Sequence, residues 1–228
     1  MKTPQLLLSA TLLITTLFCK AQPILWGMTY DGGRDSMGTL FNYDVSVHTY
    51  NLVHNFNGST DGGMPQGALI KANNGLLYGM AQVGGAYGYG TLFSYSIPSH
   101  QLTTLHDFGN GTDGAYPYGT LLQASNGIIY GLTGSGGTHN NKGTLFSYNL
   151  ITNTYTTLYN FGDRFDGISP TGSLIQGTDG LLYGCTAYGG VNGEGLLFSY
   201  NISKGVELHL HDFDAGGIYP HRLGGSGK

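Results

Sequence analysis

The chain has 228 residues, 40 of them glycine, and only 10% are charged, for a formal net charge of −4. With 17 tyrosines and 10 phenylalanines it is too aromatic and too weakly charged for a disordered chain. So much glycine excludes a helical bundle, because each interior glycine costs about 1 kcal/mol against alanine, and 7 prolines are too few for collagen.

The chain opens with Lys2, an apolar run from Leu6 to Phe18, and a small residue at Ala21. This order predicts a signal peptide over residues 1–21, cleaved before Gln22. The run falls short of the ~20 residues a spanning helix needs. The expected location is therefore outside the cytoplasm: extracellular, cell surface or periplasm. Cleavage removes Cys19 and leaves Cys185 alone, so no intrachain disulfide is expected. No cluster of Lys and Arg stands ready to neutralise phosphates, which argues against a nucleic-acid partner. Nor does any later apolar run reach helix-spanning length.

From residue 22 to 228 the sequence reads as a single domain of internal repeats. ILWGMTYDGGRDSMGTLFNYD from Ile24 aligns with LLYGMAQVGGAYGYGTLFSYS from Leu76. IIYGLTGSGGTHNNKGTLFSYN from Ile128 and LLYGCTAYGGVNGEGLLFSYN from Leu181 complete the set. A second shared block follows each, giving repeats near 24–66, 67–118, 119–171 and 172–223. In the second copy Gly67 to Ala72 reads as a first strand, and the Asn73-Asn74-Gly75 turn leads to a second from Leu76 to Met80. A glycine-rich loop then precedes a third strand, Gly90 to Ser96, and a fourth runs from Leu102 to Phe108. Four strands recurring every ~52 residues predict an all-β propeller of about four blades. The first copy starts on its second strand, at Ile24. Tyr219 to Lys228 would supply the missing strand; otherwise the ring stays open, or the chain is the front part of a larger propeller.

The recurring motifs are aromatic-Gly (Tyr78-Gly79), Gly-Gly (Gly84-Gly85), Gly-Thr-x-Phe (Gly90 to Phe93), then Phe108, Asp113-Gly114 and Pro117. In this order the repeat resembles the GloVer tandem-repeat family of exported bacterial proteins. The resemblance covers nearly the whole chain after residue 21 and implies a secreted or surface-displayed propeller. Members often carry a C-terminal anchoring or sorting segment, and none is read here. The family brings no defined activity. The blade layout is also similar to kelch repeats, without the kelch tryptophan.

Few residues suggest chemistry. His54, His106 and His211 share a repeat position with Tyr159, and Asn55, Asp107, Asn160 and Asp212 follow them. Recurrence favours hydrogen bonding at a strand end over acid–base catalysis. His209 and His211 alternate on one strand face, where they could chelate a metal, but with no third ligand in view surface histidines are the plainer reading. Asp61, Asp113 and Asp166 recur before glycine, where a turn is the plainer reading and calcium the sharper one. Beyond that calcium alternative no cofactor is expected. Cys185 shares its repeat position with Met28, Met80 and Leu132, so it reads as a small buried hydrophobe.

Because strand direction alternates, loops after second strands and before first strands emerge at one end. These loops are the long, variable ones. They carry the candidate ligand-binding residues Arg34, Asp35, Tyr87, Tyr89, Tyr116, His139, Arg164, Tyr188, Glu194 and Tyr219. Variable loops on a rigid scaffold are the usual place for function. The expected role is a non-catalytic binding or scaffold module for a glycan or protein. An extracellular glycan-active hydrolase or lyase, and a structural segment of a longer surface-display protein, are the alternatives.

Overall fold

The computed structural model describes residues 23–162 and 165–214. Every regular element among them is a β-strand. Blade one holds β1 (Ile24–Thr29), β2 (Thr39–Asp44) and β3 (Thr49–Asn55). Blade two holds β4 (Ile70–Lys71), β5 (Leu77–Ala81), β6 (Thr91–Ser96) and β7 (Gln101–Asp107). Blade three holds β8 (Gly114–Gln123), β9 (Ile129–Gly136), β10 (Thr144–Asn149) and β11 (Thr154–Asn160). Blade four holds β12 (Ile168–Pro170), β13 (Ile175–Gln176), β14 (Leu182–Tyr188), β15 (Leu196–Asn201) and β16 (Val206–Asp212). Within each blade the strands pair antiparallel in chain order, with β12 and β13 both pairing β14. Among the described residues blade one has only three strands, as its late start predicts. The expected signal peptide and the closing segment from Tyr219 to Lys228 lie outside the described residues.

The first strand begins earlier than the sequence suggests. In blade three Gly114 already pairs Gly136; the ladder breaks after Tyr118 and resumes at Leu122. Blade four splits the same strand into β12 and β13, and blade two reduces its front part to a Gly63–Val83 bridge. The Asp-Gly segment, expected as loop, is thus followed at once by sheet.

One cross-strand pair sets the thickness of every blade. Gly27, Gly79, Gly131 and Gly184 stand opposite Phe41, Phe93, Phe146 and Phe198. A Cβ on any of these glycines would come within 2.6 Å of the facing ring's Cζ. The ring therefore lies over the glycine, and three of the four phenylalanines are fully buried. Between blades, Leu40 and Phe56 pack on Leu77, Phe93 and Tyr95. Leu92 and Phe108 meet Ile129, Phe146 and Tyr148 in the same way, and Leu145 and Phe161 meet Leu182, Phe198 and Tyr200. Each sheet is buried on both sides in the middle of the chain, which accounts for the low charge.

Polar groups serve the frame. Tyr78 and Tyr130 accept hydrogen bonds from the turn residues Asn74 and Asn126, at 2.8 and 2.9 Å. Tyr183 donates to Asp179 at the equivalent place. Neighbouring first strands are joined at the repeat spacing: the Ala68 amide donates to Thr120 Oγ1, and the Thr120 amide to Ser173 Oγ. There a Cβ on Gly67 would collide with the carbonyl of Gly119.

A bulge recurs in every outer strand, between Leu40 and Phe41, Leu92 and Phe93, Leu145 and Phe146, and Leu197 and Phe198 on the facing strand. It overturns one expectation. His209 pairs Phe198 while His211 pairs Leu197, so the two histidines point to opposite faces. They cannot grip one ion together.

Two outcomes test this packing. Phe146→Ala should cost about 3–5 kcal/mol, and Gly131→Val should also destabilise, because its side chain lands on that ring; denaturant unfolding measures both. Burial pushes the Tyr155 hydroxyl up to about 12. The folded value exceeds the unfolded one, so this contribution is complete below pH ~10 and disappears as pH rises toward ~12, a loss of about 2 kcal/mol. Unfolding measured along that pH range should show the decline, and Tyr155→Phe should make it shallower, with Tyr95, Tyr148 and Tyr200, which burial also pushes up, keeping the remainder.

Candidate functional site

The loop after each second strand is pinned from below by the residue that ends the outer strand. Asn55 Oδ1 accepts the Arg34 amide at 2.9 Å, and Asp107 Oδ1 accepts the Ala86 amide at 2.7 Å. Asn160 and Asp212 do the same for Thr138 and Val191, at 2.8 and 2.7 Å. The polar residue after the recurrent histidine does hydrogen-bond at the strand end, as its recurrence suggested, and its partner is an amide of the loop.

The histidine's own partner lies seven residues on. His54 Nε2 is 2.7 Å from Asp61 Oδ2, and His106 Nε2 is 2.7 Å from Asp113 Oδ2. Tyr159 donates to Asp166 in the third copy, at 2.8 Å. The second oxygen of each carboxylate accepts a backbone amide, from Asn57, Gly109 and Gly162. Asp61, Asp113 and Asp166 therefore tie the outer strand to the turn that starts the next blade. Among the described residues no group of three His, Cys, Asp or Glu is placed to hold a metal ion. Burial pushes the Cys185 thiol up, which disfavours the thiolate needed for reaction.

The next blade completes the loop end. Met64, Tyr116 and Ser169 each precede a proline, yet hold φ of 56°, 53° and 55°. Residues before proline avoid helical geometry, and left-handed φ is costly without a glycine. The preceding blade supplies the restraint. Amides of Met64, Tyr116 and Ser169 donate to carbonyls of Met37, Tyr89 and Lys142, at 2.7, 2.8 and 2.8 Å. The prolines that follow sit against Gly38, Gly90 and Gly143, whose φ lies between 93° and 107° and where a Cβ would come within 2.8 Å of Cδ. Only glycine meets both demands, which explains the Gly of Gly-Thr-x-Phe.

On this frame Arg34, Asp35, Tyr87, Tyr89, Tyr116, His139 and Tyr188 are exposed and Glu194 is half-buried. Arg164 and Tyr219 lie outside the described residues. Two pairs come together: Tyr89 and Tyr116 meet edge to face with centroids 5.5 Å apart, and Arg34 Nε is 3.3 Å from Asp35. Tyr87 and Tyr188 make no ring contact among the described residues. His139 is tied by Nδ1 to the Asn160 carbonyl, at 3.1 Å. A cleft of about 190 Å³ opens beside the tyrosine pair, lined by Tyr89, Asp113 and Asn141 with glycine backbone between them. Asn141 escaped the sequence reading, although it holds the Gly136 amide at 2.7 Å. Met64 and Ser169 escaped it too. Their signal was present: a proline fixed in every copy, preceded by Met64, Tyr116, Ser169 and Tyr219 in turn.

The architecture matches solved structures at low identity. The nidogen/laminin complex aligns with a TM-score of 0.52 at 11% identity, over 82% of this chain and 60% of that one. A Mycobacterium tuberculosis puromycin-hydrolyzing peptidase aligns at 0.54 and 12% identity, over 83% and 27%. TolB from Acinetobacter baumannii gives 0.49 at 14%, over 83% and 43%. The chain thus spans between 27% and 60% of the length of these structures. The two alignments above 0.5 establish the fold, a β-propeller of four-stranded blades. No curated protein sequence matches. The profile of the Gloeobacter/Verrucomicrobia repeat covers residues 16–226, and with nearly the whole sequence inside that match the chain belongs to this repeat family.

Proposed function

We propose that this repeat propeller is an exported, non-catalytic module that binds a glycan or a protein through its long-loop end. The observation that carries the reading is the contrast between two sets of tyrosines. Those that repeat, such as Tyr78 and Tyr130, are buried with their hydroxyls tied to turns. Those at positions that vary between copies, Tyr87, Tyr89 and Tyr188, are exposed on loops anchored from beneath, and Tyr116, whose position holds Met64 and Ser169 in other copies, is exposed beside Tyr89. A tyrosine ring offers large contact area with little conformational entropy to lose, and a hydroxyl for hydrogen bonding. Fixed backbone under exposed rings suits recognition, because less ordering is left for the moment of binding. The recurrent His–Asp pairs support the same reading, since both carboxylate oxygens are spent on the frame.

A glycan array and a pull-down with the exported chain would identify the ligand. Replacing Tyr87, Tyr89 and Tyr188 together with alanine should weaken that ligand tenfold or more, with the strand signature in circular dichroism retained. Unchanged affinity would overturn the assignment of the loop end. N-terminal sequencing of protein exported by a bacterial host should read from Gln22; a start at Met1 would overturn export by signal cleavage.

A further inference from the structure

Each inner blade presents two different faces. The forward face, toward the next blade, carries Leu92 and His106 in blade two; the backward face carries Ile129, Phe146 and Tyr155 in blade three. Forward and backward faces fit one another three times along the chain. The forward face of blade four and the backward face of blade one find no such match among the described residues. Leu25 is 54% exposed, where its equivalents Leu77, Ile129 and Leu182 are at most 3%. Tyr50 is 54% exposed, and on blade four Ile175 and Leu208 are 64% and 59%.

The composition of these end faces is not that of generic solvent surface. Leu52 takes the outer-strand position held by Thr104 and Thr157 in blades two and three, and it pairs Phe41 on the backward face. Leu208 takes the position of Asn51, Thr103 and Thr156, and pairs Ser199 on the forward face. Apolar residues replace polar ones on the two faces that no described blade covers. The faces also complement each other in detail. At the seam between blades two and three, the His106 ring stacks on Tyr155 with centroids 3.7 Å apart and planes 1° from parallel. His211 stands at the His106 position on blade four, and Tyr50 at the Tyr155 position on blade one. Tyr50 already lies against Phe41 at 5.3 Å, as Tyr155 lies against Phe146 at 5.2 Å. The other two seams pair His54 with a leucine position and Tyr159 with a glutamate position, at Leu102 and Glu207. The open ends therefore reproduce the partners of one particular seam.

We infer that a second copy of this chain docks head to tail, the backward face of its blade one seated on the forward face of blade four and His211 stacked on the partner copy's Tyr50. The interface continues the inter-blade packing already present within one chain. Being heterologous, it joins unlike faces, so copies close into a ring or extend into a chain according to the rotation between them. It uses none of the loop residues of the proposed ligand face, so the two readings stand or fall separately.

Sedimentation or light scattering of the exported chain over a range of concentrations should give a mass of two copies or more; a monomer throughout would overturn the inference. Leu208→Glu with Leu210→Glu blocks only the forward face, and Leu25→Glu with Leu52→Glu only the backward face. Each double variant alone should be monomeric, and mixing them should yield a one-to-one pair, because one intact face of each kind remains. That recovery also shows both variants folded. Self-association of either variant alone, as a symmetric contact would allow, or no pair on mixing, would overturn it. The milder Tyr50→Ala should weaken self-association tenfold or more while the monomer stays folded by circular dichroism; unaltered association would overturn the stacking assignment.

Discussion

In each blade a phenylalanine of the third strand lies across a glycine of the second, and the separation of neighbouring blades follows from that contact. The ring occupies the volume a side chain would have taken, next to a leucine of the same blade's first strand (Leu69, Leu121 or Leu174), and the neighbouring blade's residues pack in the cluster that contains the ring. If the glycine gained a side chain the ring would have to lift, and the aliphatic cluster behind it would lose its floor. Phe146 shows the reach of this constraint: it touches Phe108 of the preceding blade and Tyr155 of its own. The hydrophobic effect supplies the drive, but the glycine decides where the apolar atoms can go.

Once the blades are that close, the remaining polar groups are drawn into holding them. Histidines close the outer strand onto an aspartate, the residues after them hold loop amides, and tyrosine hydroxyls reach the turns at the opposite end. The His–Asp pairs and the residues after the histidines are thus engaged in holding the frame. The loop residues that differ between copies ride on this frame, their backbone held by the ends of the outer strands.

Much of this was legible in the sequence, for an identifiable reason. A repeat prints the same solution several times, so Gly79 and Phe93 stand out without any structure, and four strands per copy follow from turn spacing. That Asn55 and Asp107 hydrogen-bond at a strand end was legible for the same cause, though not that their partners are loop amides. What periodicity could not reveal was contact across non-adjacent positions. The His106–Asp113 pair spans seven residues, and neither partner's type announces the other. The bulge that separates His209 from His211 leaves no sequence mark, because the inserted residue, Leu210 here, is an ordinary apolar one. The early start of the first strand was hidden by the glycine and proline that interrupt it, which normally punctuate loops. The tyrosines of the loop end were found, but their joining into the Tyr89–Tyr116 pair depends on a hydrogen bond between two blades.

That bond has a consequence for how such a surface can diversify. Each strained residue before a proline hangs on a carbonyl of the loop in front of it, so the loops form a chain of mutual supports. A substitution within a loop leaves the carbonyl where it was. An insertion or deletion moves it, releases the residue in the following blade, and relaxes a neighbour whose own sequence has not changed. Descendants of this chain can therefore swap side chains freely across the loop end, while a change of loop length in one blade calls for a compensating change in the next.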